Sequence, residues 1–179
     1  MGTLQVRYAG TGGQGIILLG VLTADAAVKA GNYATQGSYY GAQVRGGITS
    51  ADVVLSKDWV AFPYVEYSDI LVALTSESLS YYLKSAKEGS IIIVDEIVLI
   101  EQDEGELKSK FRLEKIPFTR LCYEKFNSGF LLNIVAFGYV SRYLRDFFSE
   151  KEALEALKEN VPEKYFEIEA EAFKVGASI

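Results

Sequence analysis

The chain has 179 residues, of which 49% are hydrophobic and 23% charged, so it is long enough for one folded domain with a buried core. The 18 Lys and Arg residues against 24 Asp and Glu give a formal net charge of -6, which argues against a nucleic-acid partner held on a broad basic face. A single cysteine, Cys122, and no histidine exclude disulfides, cysteine-ligated iron–sulfur clusters and histidine-based triads within this chain.

The N-terminal residues have neither the basic start nor the long apolar stretch of a signal peptide, and no apolar run approaches a membrane-spanning length. We therefore expect a cytoplasmic protein with no membrane partner. Cys122 is best interpreted as a small buried hydrophobic residue, since a nucleophile requires a neighbouring base.

The first half of the chain alternates strand and helix patterns. Residues 4–9 predict a strand that stops at a glycine cluster, and residues 16–30 predict a helix ended by Gly31. Further strands are expected where apolar or β-branched residues alternate with polar ones or form a continuous apolar run. These segments are residues 33–35, 48–56, 69–74 and 90–94, with a short edge segment at 59–63. Residues 36–47 predict an ordered loop, and a helix capped by Thr75 or Ser76 extends to about Lys87.

The second half is mostly helical. Strands are predicted at residues 98–100 and 112–116 around an acidic, solvated loop at 101–106. Residues 130–148 predict one long helix, a capping box of Ser149 and Glu152 opens the next, and Pro162 begins a terminal helix that Gly176 closes. We expect an α/β fold: one three-layer, Rossmann-like domain over residues 1–179, with a mostly parallel sheet and a helical C-terminal region.

The clearest local motif is a G-x-G-x-x-G turn between the first strand and helix. Such a turn presents backbone N–H groups to a phosphate, which makes all its glycines and its glutamine candidate binding residues: Gly10, Gly12, Gly13, Gln14 and Gly15. Gly10 permits the tight turn, Gly12 lets the backbone approach an anion, and Gly15 lets the helix approach the strand. The alternative is that the glycines serve close packing alone.

A nicotinamide dinucleotide site also needs an acidic residue at the end of the second strand, where it holds the ribose hydroxyls. The corresponding residues 32–37 contain no acid, and Asp25 comes too early, inside the predicted helix. The sequence therefore disfavours a dinucleotide dehydrogenase and leaves a phosphate site.

A second cluster of candidate residues lies at positions 38–47, where flexible glycines surround two tyrosines and one arginine. Its candidate binding residues are Tyr40, Gly41, Arg45, Gly46 and Gly47. Arg45 can clamp a phosphate or carboxylate in bidentate fashion, hold a subunit interface, or simply lie solvated in a turn.

Asn133 is the last candidate, because it interrupts the apolar segment 131–137. An unpaired amide there is costly, so its partners are either backbone groups in the core or a bound cofactor.

Taken in order, these motifs resemble the gamma subunit, or the equivalent internal domain, of the 2-oxoacid:ferredoxin oxidoreductases. The resemblance covers nearly the whole chain: the glycine turn at residues 10–15, YGAQVRGG at 40–47, Pro63 followed by SDILV at 68–72, and Asn133 beginning the long helix. The chain departs from the pattern at Ala42 next to Tyr40 and Gly41, where relatives often have Tyr then Gly-Pro, and at Glu169, where asparagine is common.

The resemblance implies a complex of alpha and beta subunits, with a delta or ferredoxin-like subunit as a further candidate and ferredoxin as electron acceptor. Thiamine diphosphate, magnesium and iron–sulfur clusters belong to the partner subunits, and coenzyme A takes the acyl group. This chain would contribute coenzyme A handling and assembly, carry no catalytic residue or metal, and be inactive alone. The arginine segment resembles members acting on 2-oxoglutarate or branched-chain 2-oxoacids, which implies 2-oxoglutarate.

Two other functions stay open. The glycine turn suits a stand-alone dinucleotide-dependent oxidoreductase, although the missing acid opposes it. The abundant aromatic residues suit a purely structural subunit.

Overall fold

The computed structural model describes residues 2–40 and 47–179. In this part of the chain six strands form one sheet and seven α-helices surround it. The strands are β1 (Leu4–Thr11), β2 (Tyr33–Tyr40), β3 (Ile48–Ser56), β4 (Ser68–Ala73), β5 (Ala86–Asp95) and β6 (Arg112–Ile116). The helices are α1 (Ile16–Lys29), α2 (Ser76–Tyr82), α3 (Glu104–Lys110), α4 (Phe118–Phe126), α5 (Leu132–Ser141), α6 (Glu150–Asn160) and α7 (Glu163–Ala177).

The strand order across the sheet is β2-β3-β1-β4-β5-β6. Strand β3 runs antiparallel to both β1 and β2, whereas β1, β4, β5 and β6 pair in parallel. Five of the six strands therefore run in one direction, and the predicted α/β fold with a mostly parallel sheet is confirmed.

Both faces of the sheet are covered by helices, as alternation along the strands requires. Val6 and Tyr8 of β1 point into the larger core, which α1 and the C-terminal helices close. Ala9 faces a smaller core under α2, where Leu79 is buried. Full burial of one large apolar side chain contributes about 1.5–3 kcal/mol, so the larger core carries most of the stability.

The second strand is longer than predicted, because β2 continues to Tyr40 where a loop was expected from residue 36. The face of β2 that points away from α1 is covered by a loop and not by a helix, so the sequence of β2 lacks a regular apolar alternation. At Gly37 an added Cβ would lie 2.9 Å from the carbonyl oxygen of Pro63, so glycine admits this loop. The predicted edge segment at residues 59–63 is not a strand.

Three predictions around β5 were wrong. Helix α2 stops at Tyr82 and a short 3-10 turn follows, so residues expected to be helical open β5 instead, and Gly89, with φ +81°, lies inside that strand. The expected acidic loop is partly helix α3, because the Asp103 carboxylate accepts the Glu106 N–H (2.8 Å) and caps it. Residues 98–100 form no strand.

The C-terminal region is helical as predicted, but the helix predicted at residues 130–148 is shorter than expected. Helix α5 covers only Leu132–Ser141, and α4 before it was not anticipated. The Ser149 and Glu152 capping box opens α6 as expected. Gly176 does not end α7, which continues to Ala177. No helix in the described ranges is long and apolar enough to cross a membrane.

Candidate functional site

The glycine turn joins β1 to α1 at the carboxyl edge of the parallel strands. Its conformation depends on left-handed backbone angles at Gly13 (φ +94°) and at Gly15 (φ +71°), which is the N-cap of α1. The turn is also closed from within by Gln14. The Gln14 Oε1 accepts hydrogen bonds from the Thr11 N–H (2.8 Å) and the Thr11 hydroxyl (3.1 Å), while the Gln14 N–H donates to the Thr11 carbonyl (3.2 Å).

The glycines of the turn differ in their surroundings. An added Cβ on Gly10 would lie 2.4 Å from Gln14 Oε1 and 2.7 Å from Ile16 Cδ1, so the Gln14 and Ile16 side chains would have to shift. Within residues 2–40 and 47–179, a Cβ on Gly12 would meet nothing closer than Thr49 Oγ1 at 3.9 Å, and one on Gly13 would meet nothing within 4 Å. Gly12 and Gly13 are exposed, so a ligand can approach their backbone.

Gly15 makes room for Asn133 rather than for a strand, which differs from the role that the motif predicts. A Cβ on Gly15 would lie 2.2 Å from the Asn133 Nδ2 atom. Asn133 belongs to the first turn of α5 and is only 7% exposed. The two candidate residues, distant in sequence, are therefore in direct contact.

This contact brings two helix N-termini together. Neither α1, with Gly15 as N-cap, nor α5, with Leu131 as N-cap, has a side-chain capping hydrogen bond, and neither has an acid in its first turn. The first N–H groups of an α-helix have no partner within the helix, and the helix dipole adds partial positive charge there. Two such ends at one place favour a bound anion.

A cavity of about 120 Å³ lies between these helix ends. It is lined by the turn residues Gly13, Gln14 and Gly15, by Asn133 and by Glu169 of α7, among others. A second cavity of about 290 Å³ shares Phe130, Leu131 and Glu169 with the first and extends to Tyr165 and Ile168. The phosphate-sized space and the larger apolar space are therefore adjacent.

Glu169 stands on the boundary between the two cavities. It is 5% exposed, and its Oε2 atom has no hydrogen-bond partner among the residues that the structure describes. Burial raises the pKa of Glu169 above its ordinary value, because removal from water disfavours the charged form. An unpaired buried carboxyl is costly to folding unless something else binds it.

The sequence indicated the glycine turn and Asn133, but it assigned no role to Glu169 or Phe130. A detectable pattern was present for Glu169, since the buried positions of α7 are 169, 172, 173 and 176, one helical stripe with an acid at its start. Phe130 had no such pattern, because it was taken as part of a helix and instead precedes α5 with its ring 74% exposed.

Tyr40 and Gly47 belong to the second predicted cluster, and the register of the paired strands shows where they lie. Thr49 pairs with Gly10 on one side and with Tyr40 on the other, so Tyr40 ends β2 two strands away from the glycine turn, about 9–10 Å. Gly47 precedes Ile48, which pairs with Thr11. The predicted binding residues Gly41, Arg45 and Gly46 lie outside the described residues.

The sheet order also explains the missing acid of a dinucleotide site. In a dinucleotide-binding fold the strand after α1 pairs directly with β1, so that its end lies beside the glycine turn. Here β3 separates β2 from β1. The strand that would hold the ribose hydroxyls in such a fold is therefore not beside the glycine turn.

Neither a metal centre nor a thiol nucleophile is found in the part of the chain that the structure describes. No group of three or more acidic or cysteine side chains converges there. Cys122 is buried, and burial raises the pKa of its thiol to about 12, with the nearby Asp95 charge adding to the shift.

The fold is an α/β module in which the glycine turn and the N-termini of α1 and α5 meet at the carboxyl edge of the sheet. The family model described as pyruvate ferredoxin/flavodoxin oxidoreductase matches residues 5–179. The chain belongs to this family, and the predicted resemblance to its gamma-type subunits is confirmed.

Curated and solved relatives agree with this assignment. The 2-oxoglutarate synthase subunit KorC of Methanocaldococcus jannaschii is 35% identical over 176 residues, covering 98% of this chain and 92% of that protein. The gamma subunit of a keto/oxoacid ferredoxin oxidoreductase from Geobacter sulfurreducens has a TM-score of 0.84 at 30% identity, covering 99% of this chain and 96% of that one. A 2-oxoglutarate:ferredoxin oxidoreductase chain from Magnetococcus marinus, with 2-oxoglutarate, coenzyme A and succinyl-CoA bound, has a TM-score of 0.87 at 25% identity; 99% of this chain matches 31% of that chain.

Proposed function

We propose that this chain is the gamma subunit of a heteromeric 2-oxoacid:ferredoxin oxidoreductase that acts on 2-oxoglutarate in the cytoplasm. In the proposed reaction the complex decarboxylates the oxoacid, passes the electrons to ferredoxin and transfers the acyl group to coenzyme A. The chain's own contribution is to bind phosphates of coenzyme A and to pack against alpha and beta subunits, with a delta or ferredoxin-like subunit as a further partner.

One observation carries the role in coenzyme A binding: two uncapped helix N-termini meet at the open glycine turn, in contact through Gly15 and Asn133. Coenzyme A carries a pyrophosphate and a 3′-phosphate, the kind of anion that such helix ends hold. The open space at Gly12 and Gly13 lets phosphate oxygens reach the backbone.

Each candidate residue has a distinct part in this proposal. The backbone at Gly12 and Gly13 and the first turns of α1 and α5 donate hydrogen bonds to phosphate, while Gln14 holds the turn closed through Thr11. Arg45 adds a bidentate contact from the segment that joins β2 to β3, whose ends at Tyr40 and Gly47 lie at this edge of the sheet.

Thiamine diphosphate, magnesium and iron–sulfur clusters belong to the partner subunits in this proposal. The chain's residues do not fit them: its one cysteine cannot ligate a cluster, and residues 2–40 and 47–179 contain no convergent set of metal ligands. We derive no step of the reaction through these groups on this chain.

A purely structural subunit is the second candidate, because strand β2 and residues 59–67 carry many exposed aromatic side chains: Tyr33, Tyr39, Tyr40, Trp59, Phe62, Tyr64 and Tyr67. Aromatic residues are enriched at protein interfaces. A stand-alone dinucleotide enzyme is the weaker candidate, since β3 separates β2 from the glycine turn.

Anaerobic purification of the tagged chain from its native host tests the proposal. We expect a heteromeric, brown preparation that reduces ferredoxin when supplied with both 2-oxoglutarate and coenzyme A, and less well with pyruvate or branched-chain 2-oxoacids. A colourless chain that purifies alone would contradict the subunit assignment. An active complex with pyruvate as its best substrate would contradict the oxoacid assignment only.

A further inference from the structure

The two edge strands of the sheet differ in length and charge. Strand β6, at one edge, has 5 residues and carries the exposed charges of Arg112 and Lys115. Short, charged edge strands of this kind discourage pairing with another chain. Strand β2, at the other edge, has 8 residues with the sequence YATQGSYY, which contains neither a charge nor a proline. Strand β2 therefore lacks the features that protect β6.

The strand register shows which backbone groups of β2 face the free edge. Successive residues of a strand direct their N–H and C=O groups to opposite sides. The Ala9 carbonyl accepts a hydrogen bond from the Leu74 N–H (2.9 Å), so odd-numbered residues of β1 face β4 and even-numbered ones face β3. Because Tyr8 pairs with Ala51 and both antiparallel registers are continuous, even-numbered residues of β3 and odd-numbered residues of β2 face each other. The residues whose backbone groups face the free edge are Ala34, Gln36, Ser38 and Tyr40.

This edge is open in the part of the chain that the structure describes. None of these outward N–H and C=O groups bonds there to a loop or to a side chain, and Ser38 and Tyr40 are exposed. The side chains of the same residues turn towards α1, where an added Cβ on Gly20 would lie 3.2 Å from the Gln36 Cγ atom. The free edge thus presents a row of donors and acceptors to a further strand.

The face of β2 away from α1 carries the aromatic segment 59–67. The Thr35 hydroxyl donates to the Phe62 carbonyl (3.0 Å), and the exposed rings of Phe62 and Tyr64 lie 5.6 Å apart. Glu66 is the only charged residue in β2 and this segment together. Aromatic residues with few charges are typical of the buried centre of a protein interface.

We propose that β2 pairs antiparallel with β2 of a second copy of this chain, so that the two sheets join across a two-fold axis. The register that gives every outward residue a partner is centred on Gly37. It pairs Ala34 with Tyr40, and Gln36 with Ser38, and it forms about eight main-chain hydrogen bonds.

A second copy fits this edge because β2 is self-complementary. The net charge of -6 opposes self-association, but the uncharged β2 strands place no like charges opposite one another. Gly37, which has no side chain, meets its own copy on the axis, and Tyr39 lies opposite Thr35 of the second copy, an aromatic and β-branched pair. The two 59–67 segments then flank the seam on one face of the joined sheet. This inference does not rest on the role in coenzyme A binding.

Sedimentation of the full chain tests the pairing. We expect the wild type to form a dimer in a concentration-dependent way. Ser38→Pro removes an outward N–H but no bond to β3, so it should raise the dimer Kd at least about tenfold, with the far-UV spectrum unchanged. Ser38→Ala is the matched control, since it loses the same hydroxyl but keeps the N–H, and it should dimerise like the wild type.

Amide hydrogen exchange of the wild type gives a second measurement that needs no variant. Dilution of the dimer should speed exchange at Gln36 and Ser38, whose N–H groups face the seam. Exchange at Gly37 and Tyr39 should stay slow, because their N–H groups bond to β3. Failure of Ser38→Pro to fold would therefore not remove the test.

Three outcomes would overturn the proposal. One is a wild-type chain that remains monomeric up to about 100 μM, where weak specific dimers are populated. Another is a dimer that Ser38→Pro leaves intact and in which the Gln36 amide exchanges fast, because the contact then lies elsewhere. The third is a monomeric free chain whose Gln36 and Ser38 amides are protected only in the assembled complex, which would assign the edge to a strand of another subunit. All three leave the coenzyme A proposal standing.

Discussion

Glu169 is an acidic residue that is buried between helices. It begins the buried stripe of α7, followed by Ala172, Phe173 and Gly176, and burial raises the pKa of its carboxyl group. Because its pKa is raised in the folded protein, the folded state binds the proton more tightly than the unfolded state. The stabilising contribution of that proton is complete below the unfolded pKa and is lost as pH rises through the folded pKa.

Substitution Glu169→Gln should therefore stabilise the free chain at pH 8 by on the order of 1 kcal/mol, and less at pH 4. For a chain of this length, 1 kcal/mol corresponds to about 2–4 °C in Tm. Thermal unfolding followed between pH 4 and pH 8 measures the difference, and the exposed Glu171→Gln is the control. Parallel Tm curves for wild type and Glu169→Gln would contradict a raised pKa.

Cys122 is also buried, and we expect no chemical reactivity from its thiol. With the pKa of its thiol raised to about 12, almost no thiolate exists at pH 8, and the side chain is buried. We predict no alkylation of the native chain by iodoacetamide over hours at pH 8, and one modified cysteine after unfolding in guanidinium. Rapid labelling of the native chain, read by mass spectrometry, would contradict this environment.

At the scale of elements, the crossing of α5 and α7 positions the site, because these helices carry Asn133 and Glu169. Two glycines allow the close approach. An added Cβ on Gly138 would lie 2.0 Å from the Phe173 carbonyl oxygen, and one on Gly176 would lie 1.9 Å from that of Val135. These neighbours are backbone atoms, so the helices would have to separate.

Gly176→Ala should consequently destabilise the chain by about 2–4 kcal/mol, despite alanine's higher helix propensity. Urea unfolding of the free chain measures this. Gly129→Ala is the matched control, because its nearest neighbour, the Tyr123 hydroxyl, would be at an ordinary 3.5 Å. A stability of Gly176→Ala equal to or above that of wild type would refute the close crossing.

Sequence patterns predicted the elements that depend on local signals. The strand at residues 48–56 and the capping box at Ser149 were located correctly, since alternation and capping are encoded within a few residues. The same reasoning interpreted Gly176 as a helix end, because a glycine packed between helices resembles a C-cap in sequence. Only the tertiary contact distinguishes the two roles. It also missed helix α4.

The candidate site was predictable to a similar extent. The glycine turn is a contiguous motif, whereas the contact of Gly15 with Asn133 and the position of Glu169 depend on how α5 and α7 pack. The insertion of β3 between β1 and β2 also could not be read from the sequence, since both strand orders fit the same run of elements.

At the scale of the whole molecule, residues from three separate parts of the chain meet at one edge of the sheet: the glycine turn, the start of α5 and the buried face of α7. The ends of β2 and β3 reach the same edge.

The Gly12→Ala substitution in the assembled complex tests the central claim most directly. Among the described residues the added methyl group meets no atom closer than 3.9 Å, so the chain should fold and assemble, but the methyl occupies the approach to the backbone N–H groups. We predict a KM for coenzyme A raised at least about tenfold, the effect of losing a hydrogen bond to a charged group, with the KM for 2-oxoglutarate and the subunit stoichiometry unchanged. Gly2→Ala, also in open space, is the control. An unaltered KM for coenzyme A in an intact Gly12→Ala complex would contradict the phosphate site.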